Sequence, residues 1–293
     1  MSVVTDVVNL FKKGYELWKQ AWLTQIIAML VLAVISVIVL VPITILIAIA
    51  GVGTTGGGTW GNWITWPGWA NLIGTIVANP LLWLMILLMV FVLAILDTVF
   101  GAAIQKVAHT YAETGSGRFE DVLKSLLPNI VPLAIVGIVM ALIIGIPMII
   151  VGLIFGPISN PATIDVFDIL QSLVYAIVVI VLVAPWFLAT SAVVIDDAGY
   201  SGIVEGWKLY FQKLVPTLII MIILLIIAII VSIIIGALGL LMPPFAADPA
   251  NLSPVLLILG YVAFILGLVA VFAVIPWLVT TMYLFYQENK ASK

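Results

Sequence analysis

The sequence predicts an all-α polytopic membrane bundle of six spanning helices. It is built as three parallel hairpin repeats, each preceded by an interfacial amphipathic helix. Three observations predict this. First, the 293 residues are 65% hydrophobic and only 8% charged, with a mean hydropathy of +1.37. A soluble domain carries about a quarter charged residues because its surface faces water. Second, six stretches hold the roughly 20 apolar residues that a spanning helix needs. Third, the segments that lead into the spans repeat one another.

The chain opens on Ser2 to Gln20, where Val4, Val7, Val8, Phe11, Tyr15, Trp18 and Trp22 follow helical spacing. Asp6, Asn9, Lys12, Lys13, Glu16 and Lys19 fill the opposite face. That pattern suits a helix lying in the membrane interface. It lacks the basic start and small-residue cleavage site of a secretory signal.

The expected spans are Thr24–Ala50, Ile76–Ala108, Ile130–Phe155, Phe167–Ile195, Leu214–Leu241 and Pro254–Tyr286. All ten Lys and Arg residues fall on one side of this arrangement or in the adjoining helix ends. The three loops on the other side carry only Asp165, Asp168 and Asp248. Positive charge stays inside, so both termini are expected in the cytoplasm and the protein in the cell membrane. The outer loops are rich in turn residues, such as Gly56-Gly57-Gly58, Gly156-Pro157 and Pro243-Pro244.

Gly115 to Ile135 lies over Gly199 to Ile219 without a gap, matching glycine, an acidic residue, lysine and Val-Pro. Gly14–Gln20 likewise matches Gly206–Gln212. Pro185-Trp186 precedes Asp196-Asp197 much as Pro276-Trp277 precedes Gln287-Glu288. A single transmembrane domain, 1–293, therefore divides into units of approximately 2–113, 114–197 and 198–293. Each unit has two spans, so the units share one orientation about an axis along the membrane normal. Phe119, Val122, Leu123, Leu126 and Leu127 make the apolar face of the second interfacial helix, with Pro128 and Pro132 expected to break the path beyond it. Ile203, Trp207, Phe211 and Leu214 do the same in the third, with Pro216 at the bend. Pro42, Pro147, Pro185 and Pro276 are expected to kink spans.

This plan resembles a broad group of prokaryotic six-span integral membrane proteins, similar to the membrane domain attached to some glycerophosphodiester phosphodiesterases. Glu113-Thr114-Gly115 and Asp196-Asp197-Ala198-Gly199 carry the resemblance best. The soluble phosphodiesterase domain of those fusions has no counterpart in this sequence, so the resemblance implies a membrane fold and does not carry that activity over.

Asp97 is the one ionisable residue well inside an expected span, and such groups are often functional. Asp97, Gly101, Gln105 and His109 recur every four residues and share one helix face. The aligned positions of the second unit are Val181, Pro185, Ala189 and Val193, so the polar face belongs to the first unit alone. It reads as a proton or cation path, with Asp97 as carrier and His109 as inner relay, as helix-packing hydrogen bonds, or as an acid near enough to the cytoplasmic interface to meet water. Trp60, Trp63, Trp66 and Trp69 read as an outer aromatic belt or as a stacking surface. Gly137, Ala141 and Gly145, and again Gly260, Ala263 and Gly267, form ladders that allow close helix approach in lipid. Asp196-Asp197 stands at a turn where negative charge favours the next helix start.

No cysteine and one histidine are present, which removes thiolate chemistry and leaves no basis for a His-based metal site. No catalytic residues, metal ligands or cofactor are expected. The basic residues are interleaved with acidic ones, so no nucleic-acid partner is expected. The expected partners are the lipid bilayer and either further copies of the chain or other membrane subunits. Two functions fit. One is a non-enzymatic scaffold, complex subunit or lipid-organising protein. The other is a small transporter or permease for a lipid-like or hydrophobic solute, proton-coupled through Asp97.

Overall fold

The computed structural model describes residues 3–55, 80–155, 166–240 and 254–290, and all of its regular structure there is helical. In chain order the helices are α1 (Val3–Thr55), α2 (Pro80–Thr114), α3 (Phe119–Leu126), α4 (Ile130–Phe155), α5 (Val166–Ile195), α6 (Ser201–Gln212), α7 (Leu214–Leu240) and α8 (Pro254–Lys290). A 3₁₀ turn, Leu127–Asn129, joins α3 to α4. Pro80 and Pro254 occupy the first positions of α2 and α8, where a missing N–H costs nothing and the fixed φ suits a helix. Gly115 and Gly199 follow α2 and α5 with φ of 71° and 54°. Those are left-handed values that glycine takes without a Cβ clash, the usual way to stop a helix and turn the chain.

Among the described residues, four stretches are long and apolar enough to cross a membrane: Thr5–Leu46, Leu84–Thr114, Phe119–Val151 and Leu173–Ile195. The bent pair Ser201–Gln212 and Leu214–Ile227 makes a fifth if it counts as one span. The outward faces of these helices are bare hydrocarbon: Val34, Val37, Ile38 and Ile149 are each 60% exposed or more. Apolar surface on that scale needs lipid, not water, around it. The chain is a multi-pass helical membrane protein.

Three expectations are corrected. The N-terminal segment does not form a separate interfacial helix. It runs unbroken into the first span as a 53-residue α1, about 80 Å long at 1.5 Å per residue, because no helix-breaking residue separates the two parts. Pro128 and Pro132 do not break the path either, and Phe119–Val151 counts as one stretch. Pro128 lies at the start of the 3₁₀ turn and Pro132 in the first turn of α4, where their missing N–H groups have no partner to lose. Only the third junction bends sharply, by 96°, and it bends at Lys213 (φ −121°, ψ 38°) rather than at Pro216. Pro42, Pro147, Pro185 and Pro276 all lie inside helices that continue through them.

The long helices pack in two shells. α2, α5 and α8 touch one another along the centre. Outside them α1 packs against α2 and α8, α4 against α2 and α5, and α7 against α5 and α8. Small residues set the spacing. Ala102, Ala103, Ala184, Ala189 and Ala192 are buried to within 1% of completely where the central helices meet their neighbours. Gly206 brings α6 so close to α5 that a Cβ there would collide with the backbone of Ala189. Gly137 does the same for α4 and α2: its Cβ would stand 2.8 Å from the carbonyl oxygen of Ala94. The first rung of the glycine ladder is thus used inside the chain, whereas a Cβ on Gly145 would meet nothing within 4 Å.

Candidate functional site

The polar residues of the bundle sort into three levels along its axis. The lowest is the end where both termini lie. There Lys13 of α1 pairs with Glu288 of α8 at 2.5 Å. Asp196, at the end of α5, accepts a hydrogen bond from the Tyr286 hydroxyl at 2.5 Å and forms an ion pair with Lys290. Asp197 accepts from Asn129 Nδ2 at 2.9 Å. The acidic pair does not act as a helix-start charge alone, since each member ties the α5–α6 turn to a different neighbour. The Lys106 ammonium donates to the Val194 carbonyl at 3.0 Å.

His109 belongs to this level. Its Nδ1 is 3.3 Å from the Tyr283 hydroxyl, and its Nε2 is 3.3 Å from Glu113. The imidazole therefore faces α8 and the end of its own helix.

One turn further in lies a fully buried amide layer. Gln105 Nε2 donates to the Phe187 carbonyl at 3.3 Å, and its Oε1 accepts from Ser191 Oγ at 3.0 Å. Gln25 Nε2 donates to Thr280 Oγ1 at 2.9 Å and to the Ile104 carbonyl at 3.4 Å. These bonds join α1, α2, α5 and α8 and close the axis. Gln25 Oε1 is buried without a hydrogen-bond partner, and a buried amide oxygen left unpaired costs about 1–3 kcal/mol.

Beyond this layer the helices part around a cavity of about 320 Å³. Met29 comes from α1, Asp97, Thr98 and Gly101 from α2, Trp186 and Thr190 from α5, and Ile275 and Val279 from α8. The space exists partly because a side chain is missing: a Cβ on Gly101 would meet nothing within 4 Å. Trp186 Nε1 donates to Thr98 Oγ1 at 3.0 Å, which fixes the indole in the wall. Asp97 stands 17 residues from either end of α2, roughly 25 Å along the axis by helix rise. It forms no hydrogen bond or ion pair with any described residue.

The four residues of the expected polar face meet different surroundings. Asp97 and Gly101 line the cavity, Gln105 is bonded to α5, and His109 lies further toward the terminal end with other partners. Nothing bridges Asp97 to His109 by hydrogen bonds among the described residues. The packing alternative holds for Gln105 and not for Asp97. Trp60, Trp63, Trp66 and Trp69 lie outside the described residues. The surroundings of Gly260, Ala263 and Gly267 lie outside them as well. Among the described residues no three His, Asp or Glu side chains come together in a way that could hold a metal ion.

Sequence reasoning missed Gln25, Thr98, Thr190 and Trp186. Their signal was available, because each is a hydrogen-bonding side chain inside an apolar run. It was not decisive, because which helix each one faces depends on packing. No family model, curated protein or solved structure matches the chain.

Proposed function

We propose that this non-enzymatic, multi-pass protein of the cell membrane is a small transporter or permease, and that Asp97 is the counter-ion for a cationic solute in its central cavity. One observation carries the reading: a carboxylate halfway along a membrane helix, unpartnered, in the wall of a cavity closed at one end. A charge at that depth costs several kcal/mol unless something pairs with it; Asp97 is exposed where it lines the cavity, whereas the buried Thr98, Gln105, Thr190 and Ser191 beside it have protein partners. A cavity of about 320 Å³ falls within the usual range for small-molecule sites. The amide layer below it is the closed gate of a one-side-open state. With the termini in the cytoplasm, as the charge distribution favours, the cavity faces outward.

The three-hairpin plan belongs to this reading. Its support is that the closing helix of each proposed unit (α2, α5, α8) lies inside and the opening helix (α1, α4, α7) outside. Gly115 and Gly199, at matching positions, share left-handed φ. Gly14 and Gly206, also at matching positions, each press on the closing helix of another unit, at Thr281 and Ala189. Three such units closing on one another form a ring with the cavity at its axis. The resemblance to the membrane domains of phosphodiesterase fusions rests on the same plan.

The scaffold alternative rests on the small-residue ladders, and Gly137 already spends part of one inside the chain. The test is binding of a panel of small amines to the purified protein in lipid nanodiscs, with Asp97→Asn alongside. The expected result is a saturable cation that loses about tenfold to a hundredfold in affinity in the variant, the value of a charge-assisted hydrogen bond, while assembly is unchanged. No saturable amine binding, together with co-purifying subunits on the Gly145 face, would replace transport with the scaffold.

A further inference from the structure

A second cavity adjoins the first. It occupies about 230 Å³ between α5, α7 and α8, and every residue around it is apolar. Val179 and Ile180 bound it on α5, Met221, Leu224 and Leu225 on α7, and Met282 on α8. Phe187, Ile275 and Val279 line both cavities, so the wall between the two is one side chain thick and made of these three residues. Ile275 is 42% exposed and Val279 4%, so the shared wall runs from the flank of the bundle inward.

The two spaces differ in chemistry in a consistent way. The central one offers an unpaired carboxylate, the hydroxyls of Thr98 and Thr190, and the indole of Trp186. The lateral one offers only hydrocarbon. Trp186 and Phe187 stack with ring centroids 5.8 Å apart, so the aromatic wall runs from one space to the other. An aromatic face beside a carboxylate suits a positively charged nitrogen.

From this juxtaposition we infer that the solute is a single-chain cationic amphiphile. It reaches the site sideways from the bilayer between α5, α7 and α8, its tail in the lateral groove and its ammonium head at Asp97. The inference rests on the proposed function and adds the tail, the route and the head-group charge. Phe187, Ile275 and Val279 are the threshold that the chain lies across. A ligand whose tail stays in hydrocarbon gives up no hydrophobic stabilisation on leaving the bilayer, so selectivity falls to the head group. That is the arrangement expected where only the head compartment carries charge.

The experiment uses the full chain in phosphatidylcholine nanodiscs and a long-chain primary amine bearing a diazirine in its tail and an alkyne for detection. After irradiation, peptide mapping is expected to find adducts on Met221, Leu224 and Met282. Excess unlabelled long-chain amine should suppress them at least about tenfold, and a chain alcohol of equal length should not. Asp97→Asn should lose them to a similar degree. Leu224→Trp, which fills the groove, should lose them while still binding a short amine such as butylammonium. Adducts competed equally by the alcohol would overturn the inference, since the groove would then be ordinary lipid contact. Asp97-dependent binding of butylammonium without groove adducts would sink the lateral route and leave the transporter reading standing. Failure of both amines to bind would sink both.

Discussion

The two ends of the polar axis are built from similar residues and behave oppositely. At the terminal end Asp196, Asp197, Glu288 and His109 all have protein partners, drawn from other helices or, for His109, also from its own. In the middle, Asp97 has none among the described residues. Both regions hold carboxylates among apolar helices, so composition does not separate them. Partnering does. Where the chain supplies its own donors, the polar group ties helices together. Where it supplies none, the partner has to come from outside, and the polar group becomes a candidate for function.

That contrast can be broken by substitutions. The largest effect is expected from Gly206→Leu, because the new side chain must displace the backbone of Ala189. Overpacking of this kind costs about 3 kcal/mol and should appear as a clear drop in the detergent denaturation midpoint. Asp196→Ala comes next. It removes the acceptor of Tyr286 and the ion partner of Lys290, and about 2 kcal/mol of stability should go with it. Amine affinity should not change, and if it does, the two regions are coupled rather than distinct.

Gly101→Ala reverses the pattern. The added methyl meets open cavity and replaces a poor helix former, so stability should rise by up to about 1 kcal/mol. Binding should weaken as the cavity shrinks, and a variant that is both more stable and better at binding would remove the cavity from consideration. The smallest effect is expected from Lys13→Ala. Both partners of its ion pair are largely exposed, so the loss should be about 0.5 kcal/mol or less, and smaller still at high salt.

Much of the architecture was legible because hydropathy and charge act locally. A run of apolar residues needs lipid wherever it sits, and a cluster of lysines resists crossing wherever it sits. The four-residue spacing of Asp97, Gly101, Gln105 and His109 follows from helix geometry alone, so their common face was readable too. The unbroken α1 was harder to foresee. An amphipathic pattern says which face of a helix is apolar and nothing about whether the helix stops before the span. The same holds for Pro128 and Pro132, whose effect depends on whether they fall inside a helix or at its start.

The candidate site divides along the same line. Sequence by itself determined that Asp97 and Gly101 would share one face of one apolar helix, because that follows from position within it. It also determined the absence of thiols and the scarcity of imidazole. Only the tertiary structure decided that Gln105 meets Ser191 and Phe187, that Gln25 meets Thr280, and that Asp97 bonds to no described residue. Partnering is a property of pairs of helices, set by which small residues let which faces approach. One helix read alone carries the donor and the acceptor but not the distance between them.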